Sequence, residues 1–295
     1  MNKQYYSKMD EGVECLLCPH SCILTEEKNG KCFVRKVKDD KIYLFTYGCL
    51  THLAVEPIEK KPFLYFLSGT KTLSLGGIGC NMQCKFCENF KYSQPLSSSK
   101  FSFNTFNYKT DDEIDDNICS PKDIVEIAKK EKCDSVCMTY NEPIVYYEFL
   151  MDLAEECHKE SLKFVIKTNA YVNKEPWVDI CSVVDAMDID WKGKEADYKA
   201  LGASQYVIQD RIKEAYESGV HVEISFPLHQ DASEKINTFA AFGFFLASID
   251  KKMPVHLLKI YPTDRNKDCH TTSNNLVSMI KSILSFYLDN VHIHI

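Results

Sequence analysis

Three cysteines within eight residues, Cys80, Cys84 and Cys87, constrain this chain more than any other feature. They stand in Ile78-Gly79-Cys80-Asn81-Met82-Gln83-Cys84-Lys85-Phe86-Cys87-Glu88-Asn89, directly after an apolar run that reads as a strand. Whatever fold the chain takes must bring three thiols together just beyond a strand end. Thiolates in C-x3-C-x2-C order can hold three irons of one cubane cluster and leave the fourth iron open to an outside ligand. A structural zinc site fits less well, because it closes four ligands around the ion, commonly as two separated pairs.

From Leu73 onward, strand-like runs alternate with helical stretches. Strands are predicted over 73–78, 134–139, 163–168, 184–190, 220–226 and 255–260, and helices over 122–131, 144–159, 174–182, 207–218 and 234–249. Ser120 suits an N-cap with Pro121 in the first turn, and Gly219 suits a helix end before a strand. Six strands alternating with helices predict an α/β fold with parallel pairing and right-handed crossovers, and six units suit a partial barrel better than a closed eight-stranded one. Val291–Ile295 alternates and can add a further strand; His292 and His294 would share one face, either solvated or as ligands, and solvation is the simpler reading. The expected division is an amino-terminal cysteine-rich unit and linker over 1–72 and a barrel over 73–295. Residues 91–120 read as a surface insertion, with an aromatic stretch and the acidic run Asp111–Asp116, and more as a solvated loop than as a lid.

A second cysteine group precedes the barrel. Cys15, Cys18, Cys22 and Cys32 give C-x2-C-x3-C-x9-C, enough thiolates for a closed zinc site or a second 4Fe–4S cluster. The chain has fourteen cysteines, but Met1–Asp10 is polar and unlike a secretory signal, so reduced thiols, metal ligation and a cytoplasmic location are expected rather than disulfides. A formal net charge of −7 argues against a nucleic-acid partner. No apolar run approaches the ~18 residues of a membrane helix.

Further segments stand beside the triplet: Cys15-Leu16-Leu17-Cys18-Pro19-His20-Ser21-Cys22, Gly30-Lys31-Cys32-Phe33-Val34-Arg35, Glu56-Pro57-Ile58-Glu59-Lys60-Lys61-Pro62 and Thr139-Tyr140-Asn141-Glu142-Pro143. With Phe86 just before the last cysteine of the triplet, the set resembles the radical S-adenosylmethionine (SAM) superfamily. Within it, the set looks like the AmmeMemoRadiSam-system radical SAM enzymes, relatives of pyruvate formate-lyase activating enzyme. The resemblance runs from about Cys15 to about Pro262. It implies a partial (β/α)6 radical SAM barrel with SAM across the C-terminal strand ends, where ligands of parallel sheets sit. It further implies a 4Fe–4S cluster on Cys80, Cys84 and Cys87, whose open iron takes the SAM amino and carboxylate groups. One electron then cleaves SAM to a 5′-deoxyadenosyl radical.

The resemblance also implies a set of SAM contacts. Glu142, with the Asn141 and Pro143 backbone, falls where the family holds the SAM amino group. Phe86 falls at the adenine-contacting position. Thr168, Asp190 and Lys192 match polar positions around the SAM methionine and ribose. Two departures stand out. Where the activating enzymes carry an aspartate that helps bind a monovalent cation, this chain has Lys167, and Ala170 replaces a glycine. An ammonium at Lys167 could stand in for that cation, or the side chain could point to solvent. The family's later turn is altered to Phe226-Pro227-Leu228-His229-Gln230-Asp231, which leaves the substrate open.

The expected function is hydrogen abstraction from a substrate, by analogy a glycyl residue of a partner protein. Radical modification of a small metabolite, cofactor or peptide is the alternative. An iron–sulfur electron carrier or a zinc-stapled binding module is the non-enzymatic one. An electron donor such as flavodoxin or ferredoxin is implied as a partner.

Overall fold

The apolar runs that follow residue 70 assemble into one large sheet. The computed structural model describes residues 3–95, 119–228, 236–262, 267 and 270–294. Ahead of the sheet, β1 (Tyr6–Met9), β2 (Gly12–Cys15) and β3 (Ile23–Leu24) form an antiparallel trio, and β4 (Arg35–Lys38) pairs with β5 (Lys41–Leu44) as a hairpin. Alternate residues of β2 and β5 are buried, Val13 and Cys15 in one and Ile42 and Leu44 in the other, so each strand turns one face to the core.

The large sheet has eight strands in chain order. They are β6 (His52–Pro57), β7 (Lys71–Gly76), β8 (Ser135–Met138), β9 (Lys163–Thr168), β10 (Ala186–Asp190), β11 (His221–Leu228), β12 (Val255–Lys259) and β13 (Val291–His294). β6 runs antiparallel to β7, and every other neighbouring pair is parallel. The helices are α1 (Phe90–Ser93), α2 (Pro121–Lys130), α3 (Tyr147–Lys159), α4 (Lys174–Cys181), α5 (Glu195–Ala200), α6 (Gln205–Glu217), α7 (Ile236–Ile249) and α8 (Asn274–Ser285). All six predicted strands are present, and the alternating segment near residue 291 adds a seventh parallel one. β6, α1, α5 and α8, with the short strands β1 to β4 ahead of the sheet, are additions to the sequence reading. β6 lies within the segment expected as amino-terminal unit and linker, so strand pairing crosses residue 72.

Local chemistry explains the main helix ends. Ser120 caps α2 and forms a reciprocal capping box with Asp123. Gly219 takes φ +82° just beyond α6, a conformation that suits glycine. α3 buries Tyr147, Leu150, Ala154 and Cys157, a helical stripe against the sheet. Cys133 and Cys137 are buried, as expected for small core residues. Residues 96–118 of the expected insertion, and His229 to Asp231 of the altered turn, lie outside the described residues.

The segment after β6 folds under the barrel and fills its floor. Ile58 and Phe63 pack on Cys137, Val165 and Ala186. The amides of Leu64 and Tyr65 donate to the Glu223 carboxylate at 3.1 and 3.0 Å. The same carboxylate pairs with His221 Nε2 at 2.9 Å and His256 Nε2 at 2.7 Å. Burial would raise Glu223, but the partners outweigh it and hold it down at about 2. Tyr65 reaches the far edge of the sheet, where its hydroxyl meets Asn290 Oδ1 at 3.0 Å and His292 Nε2 at 2.9 Å. His294 Nε2 lies 3.0 Å from His256 Nδ1. The simple solvated reading of His292 and His294 is therefore corrected. Parallel pairing of β13 turns both rings toward neighbouring polar partners.

Candidate active site

The cysteine loop leaves β7 at its C-terminal end, and its shape is fixed by the segment after β8. Asn141 braces it from below. Its side chain accepts from Gly77 N at 2.9 Å and donates to Ile78 O and Gly79 O, each at 3.2 Å. Tyr146 adds a hydroxyl that accepts from Ile78 N at 2.8 Å. Gly79 has φ +85°, and a Cβ there would fall 2.2 Å from the Cys32 carbonyl oxygen, so no side chain fits. Tyr140 also adopts a left-handed backbone, φ +70°, which turns Asn141 and Glu142 back toward the loop.

Cys80, Cys84 and Cys87 line one cavity of about 390 Å³ at the C-terminal strand ends. Cys80 Sγ accepts from Met82 N at 3.4 Å and from Asn169 Nδ2 at 3.6 Å, and Cys87 Sγ lies 3.2 Å from Ser93 Oγ. Burial raises Cys80 well above the ordinary thiol range and pushes Cys84 up to about 11. In the free chain Cys80 and Cys84 hold their protons, so metal binding must release them. Among the described residues, no three His, Cys, Asp or Glu side chains are gathered tightly enough to chelate a single ion. In a cubane each thiolate binds a different iron, so the triplet need not meet at one point. Three thiols beside a cavity, with amide donors at one sulfur, are a donor set that fits such a cluster.

Opposite the thiols lies a charged wall. Glu142 is buried, and its Oε1 accepts from Thr168 Oγ1 at 2.6 Å and Ile144 N at 3.1 Å, while Oε2 accepts from Asn169 N at 2.8 Å. Burial raises Glu142 to about 7 even against these three donors. Lys167 points inward, 21% exposed, and bridges Asp188 and Asp190, the latter at 2.8 Å. Lys192 holds the other Asp190 oxygen at 2.8 Å. Burial keeps Asp188 above the usual carboxylate range. Asp190, beside two ammonium groups, is held well below it despite burial.

Phe86, Asn141, Glu142, Lys167, Thr168, Asp190 and Lys192 all line the cavity with the triplet. Pro143 does not. It is buried at the start of the short turn Pro143–Tyr146, where it fixes the backbone after Glu142. Thr168 serves Glu142 directly, and Asn141 serves the loop. Ala170 keeps the left-handed φ of +54° that a glycine would take freely. Asn169 has no role in the sequence reading. Its side chain nevertheless joins Cys80 to Asn81 Oδ1, at 2.9 Å from the latter. Its paired donor and acceptor beside a strand end were the available signal. Lys61, in the Glu56–Pro62 segment, reaches the cavity, paired with Glu56 at 2.5 Å and the Tyr140 hydroxyl at 3.2 Å.

The four amino-terminal cysteines also come together. Cys15, Cys18, Cys22 and Cys32 line a separate small cavity, and none is in a disulfide.

An open barrel of parallel strands, with three thiols and a charged pocket at its C-terminal end, defines the class. The sequence matches the Radical SAM superfamily over residues 75–230, just over half of the chain, and the chain belongs to that superfamily. The family implies a 4Fe–4S cluster and SAM. An uncharacterized protein of Methanocaldococcus jannaschii is 30% identical over 282 residues, covering 95% of this chain and 80% of its own length. The chain's fold is similar to Streptococcus suis SuiB bound to the precursor peptide SuiA, at TM-score 0.52 and 18% identity, over 80% of this chain and 51% of that one. It is also similar to Escherichia coli QueE, at TM-score 0.52 and 14% identity, over 83% of this chain and 92% of that one. Among the described residues, no helix is long and apolar enough to cross a membrane.

Proposed function

We propose that the chain is a SAM-cleaving radical enzyme whose Cys80, Cys84 and Cys87 hold the cluster and whose facing pocket holds SAM. The observation that carries this reading is the convergence of the triplet with Glu142, Lys167, Thr168, Asp190, Lys192 and Phe86 on one cavity. When bound, the cluster and SAM supply one-electron bond cleavage and a carbon radical that takes a hydrogen atom from the substrate. The protein's part is binding, orientation and exclusion of water. Glu142 accepts hydrogen bonds from the SAM amino group, and Phe86 offers a flat face to the adenine. Lys192 and Asp190 address the methionine and ribose. Lys167 takes the place of a bound monovalent cation. Two ammonium groups balance Asp188 and Asp190, so the pocket needs no added ion.

The motifs shared with activating enzymes support a glycyl residue of a partner protein as the substrate, with flavodoxin or ferredoxin as donor. A second metal group, zinc or iron–sulfur, belongs to Cys15, Cys18, Cys22 and Cys32. Anaerobic reconstitution with iron, sulfide, dithionite and SAM tests the core reading. The parent chain should form 5′-deoxyadenosine, and the variant with all three triplet cysteines changed to alanine should form none and lose about four irons. Continued 5′-deoxyadenosine formation by that variant would sink the assignment.

A further inference from the structure

The amino-terminal cysteines lie behind the cysteine loop and share no lining residue with the active-site cavity. A group held there cannot touch a substrate in that cavity. It can, however, communicate with Cys80. The Cys32 carbonyl presses on Gly79, one residue before Cys80, closely enough to forbid a Cβ. His20, between Cys18 and Cys22, meets Asn81 O through Nε2 at 2.7 Å. Asn81 accepts from Asn169 Nδ2 at 2.9 Å, and the same Nδ2 lies 3.6 Å from Cys80 Sγ.

The pocket itself is built for a negatively charged sulfur-rich group. The amides of Leu17, His20 and Val34 are directed at the sulfurs of Cys15, Cys18 and Cys32, and Lys31 N meets Cys22 Sγ at 3.5 Å. Arg35 lines the pocket and is 2% exposed. Its Nη1 and Nη2 hold Glu148 at 2.8 and 2.5 Å, while Nε is buried with no acceptor among the described residues. A buried donor left without an acceptor is costly. Cysteine thiolates are the only acceptors a zinc site would bring, whereas an iron–sulfur cluster would bring inorganic sulfides as well.

We propose that Cys15, Cys18, Cys22 and Cys32 hold a second iron–sulfur cluster that passes single electrons to the cluster of the barrel triplet, by way of the Cys32–Gly79 contact and the His20–Asn81–Asn169 hydrogen bonds. This deepens the proposed function and rests on the barrel triplet holding a redox cluster. In each transfer the amino-terminal cluster is oxidised by one electron and the barrel cluster is reduced by one. A one-electron carrier protein then restores the first.

Reconstituted full-length chain should carry about eight irons with matching sulfide, and the triplet-to-alanine variant about four. A Cys22→Ser chain should change the amino-terminal spectrum and leave the barrel cluster intact. In the fully reduced parent, the two paramagnets should broaden each other's electron paramagnetic resonance. Zinc without sulfide in the triplet variant overturns the proposal, as does a parent spectrum equal to the sum of the two single-site variants. A parent count of about four irons unaffected by Cys22→Ser also overturns it, even if the triplet variant does not fold. A chain lacking all four amino-terminal cysteines separates the two readings. If it folds and takes up no iron, the barrel assignment fails instead.

Discussion

Replacing Lys167 by methionine tests the internal charge balance most directly. The substitution keeps the stem and removes the ammonium between Asp188 and Asp190. Asp188 is fully buried, and one of its oxygens already lacks a hydrogen-bond partner among the described residues. Asp190 is 22% exposed and keeps Lys192 at 2.8 Å. The loss therefore falls mainly on Asp188. Removing one partner of a buried pair costs about 3–5 kcal/mol, and the partial exposure here argues for the lower end, about 3 kcal/mol. At about 2–4 °C per kcal/mol, the melting temperature should fall by about 6–12 °C at pH 8. Adding Asp188→Asn to Lys167→Met removes the stranded charge and should recover about 2 kcal/mol. Burial already raises Asp188, and losing Lys167 raises it further, so protonation relieves the strain. The defect should shrink as pH falls from 8 to 5. Thermal melts of the parent, single and double variants at both pH values measure this. SAM affinity, measured in sodium, potassium and a bulky organic cation, should be flat in the parent and cation-sensitive in the variant. A loss under about 1 kcal/mol, no recovery in the double variant, or strong potassium dependence in the parent would refute the built-in-cation reasoning.

Glu142 sits at about 7, above the ordinary carboxylate, so the free protein favours its protonated form below that pH and loses this contribution as pH rises through it. SAM needs the ionised acceptor. Its affinity should therefore drop roughly tenfold per pH unit below about 7 in the parent, with no such limb in Glu142→Gln; identical profiles by titration calorimetry would contradict this. Asn141→Ala strips three hydrogen bonds from the cysteine loop and should cost about 2 kcal/mol while speeding alkylation of Cys80 in the metal-free chain. Unchanged alkylation would mean the loop holds itself. Glu223 is depressed to about 2, so its contribution is full above about pH 4.5 and is lost as pH falls through about 2. Glu223→Gln should cost about 3 kcal/mol at pH 7, with the deficit narrowing below pH 4.5 in denaturant melts; a pH-independent deficit would assign the loss to packing.

The sequence made the parallel strands legible because each is a short apolar run bounded by turn residues and followed by a helical pattern. β6 was hidden for a physical reason: His52-Leu53-Ala54-Val55-Glu56-Pro57 is an edge strand with mixed exposure, and its antiparallel direction breaks the alternation. The site residues could be named from spacing and resemblance, but not their division of labour. Asn141 and Thr168 are polar residues beside a pocket in the sequence. Only the fold shows one clamping the loop and the other donating to Glu142. The direction of Lys167 was open because a strand residue can face either side, and register with Asp188 decided it. His292 and His294 were misjudged because their partners, Tyr65 and His256, come from distant segments.

The floor strap has a consequence for how the chain reaches this state. Tyr65 and His292 are separated by 227 residues in sequence, yet they meet across the underside of the sheet. Contacts of such separation form late, because the chain entropy between them must be overcome first. On the ribosome, the strap would emerge long before Glu223, His256 and β13 exist to receive it. Its apolar residues, Phe63 above all, would then need temporary cover. Barrel closure thus becomes a late checkpoint in assembly, and the segment around residues 58–67 marks the place where an incompletely synthesised chain is most open to misassociation.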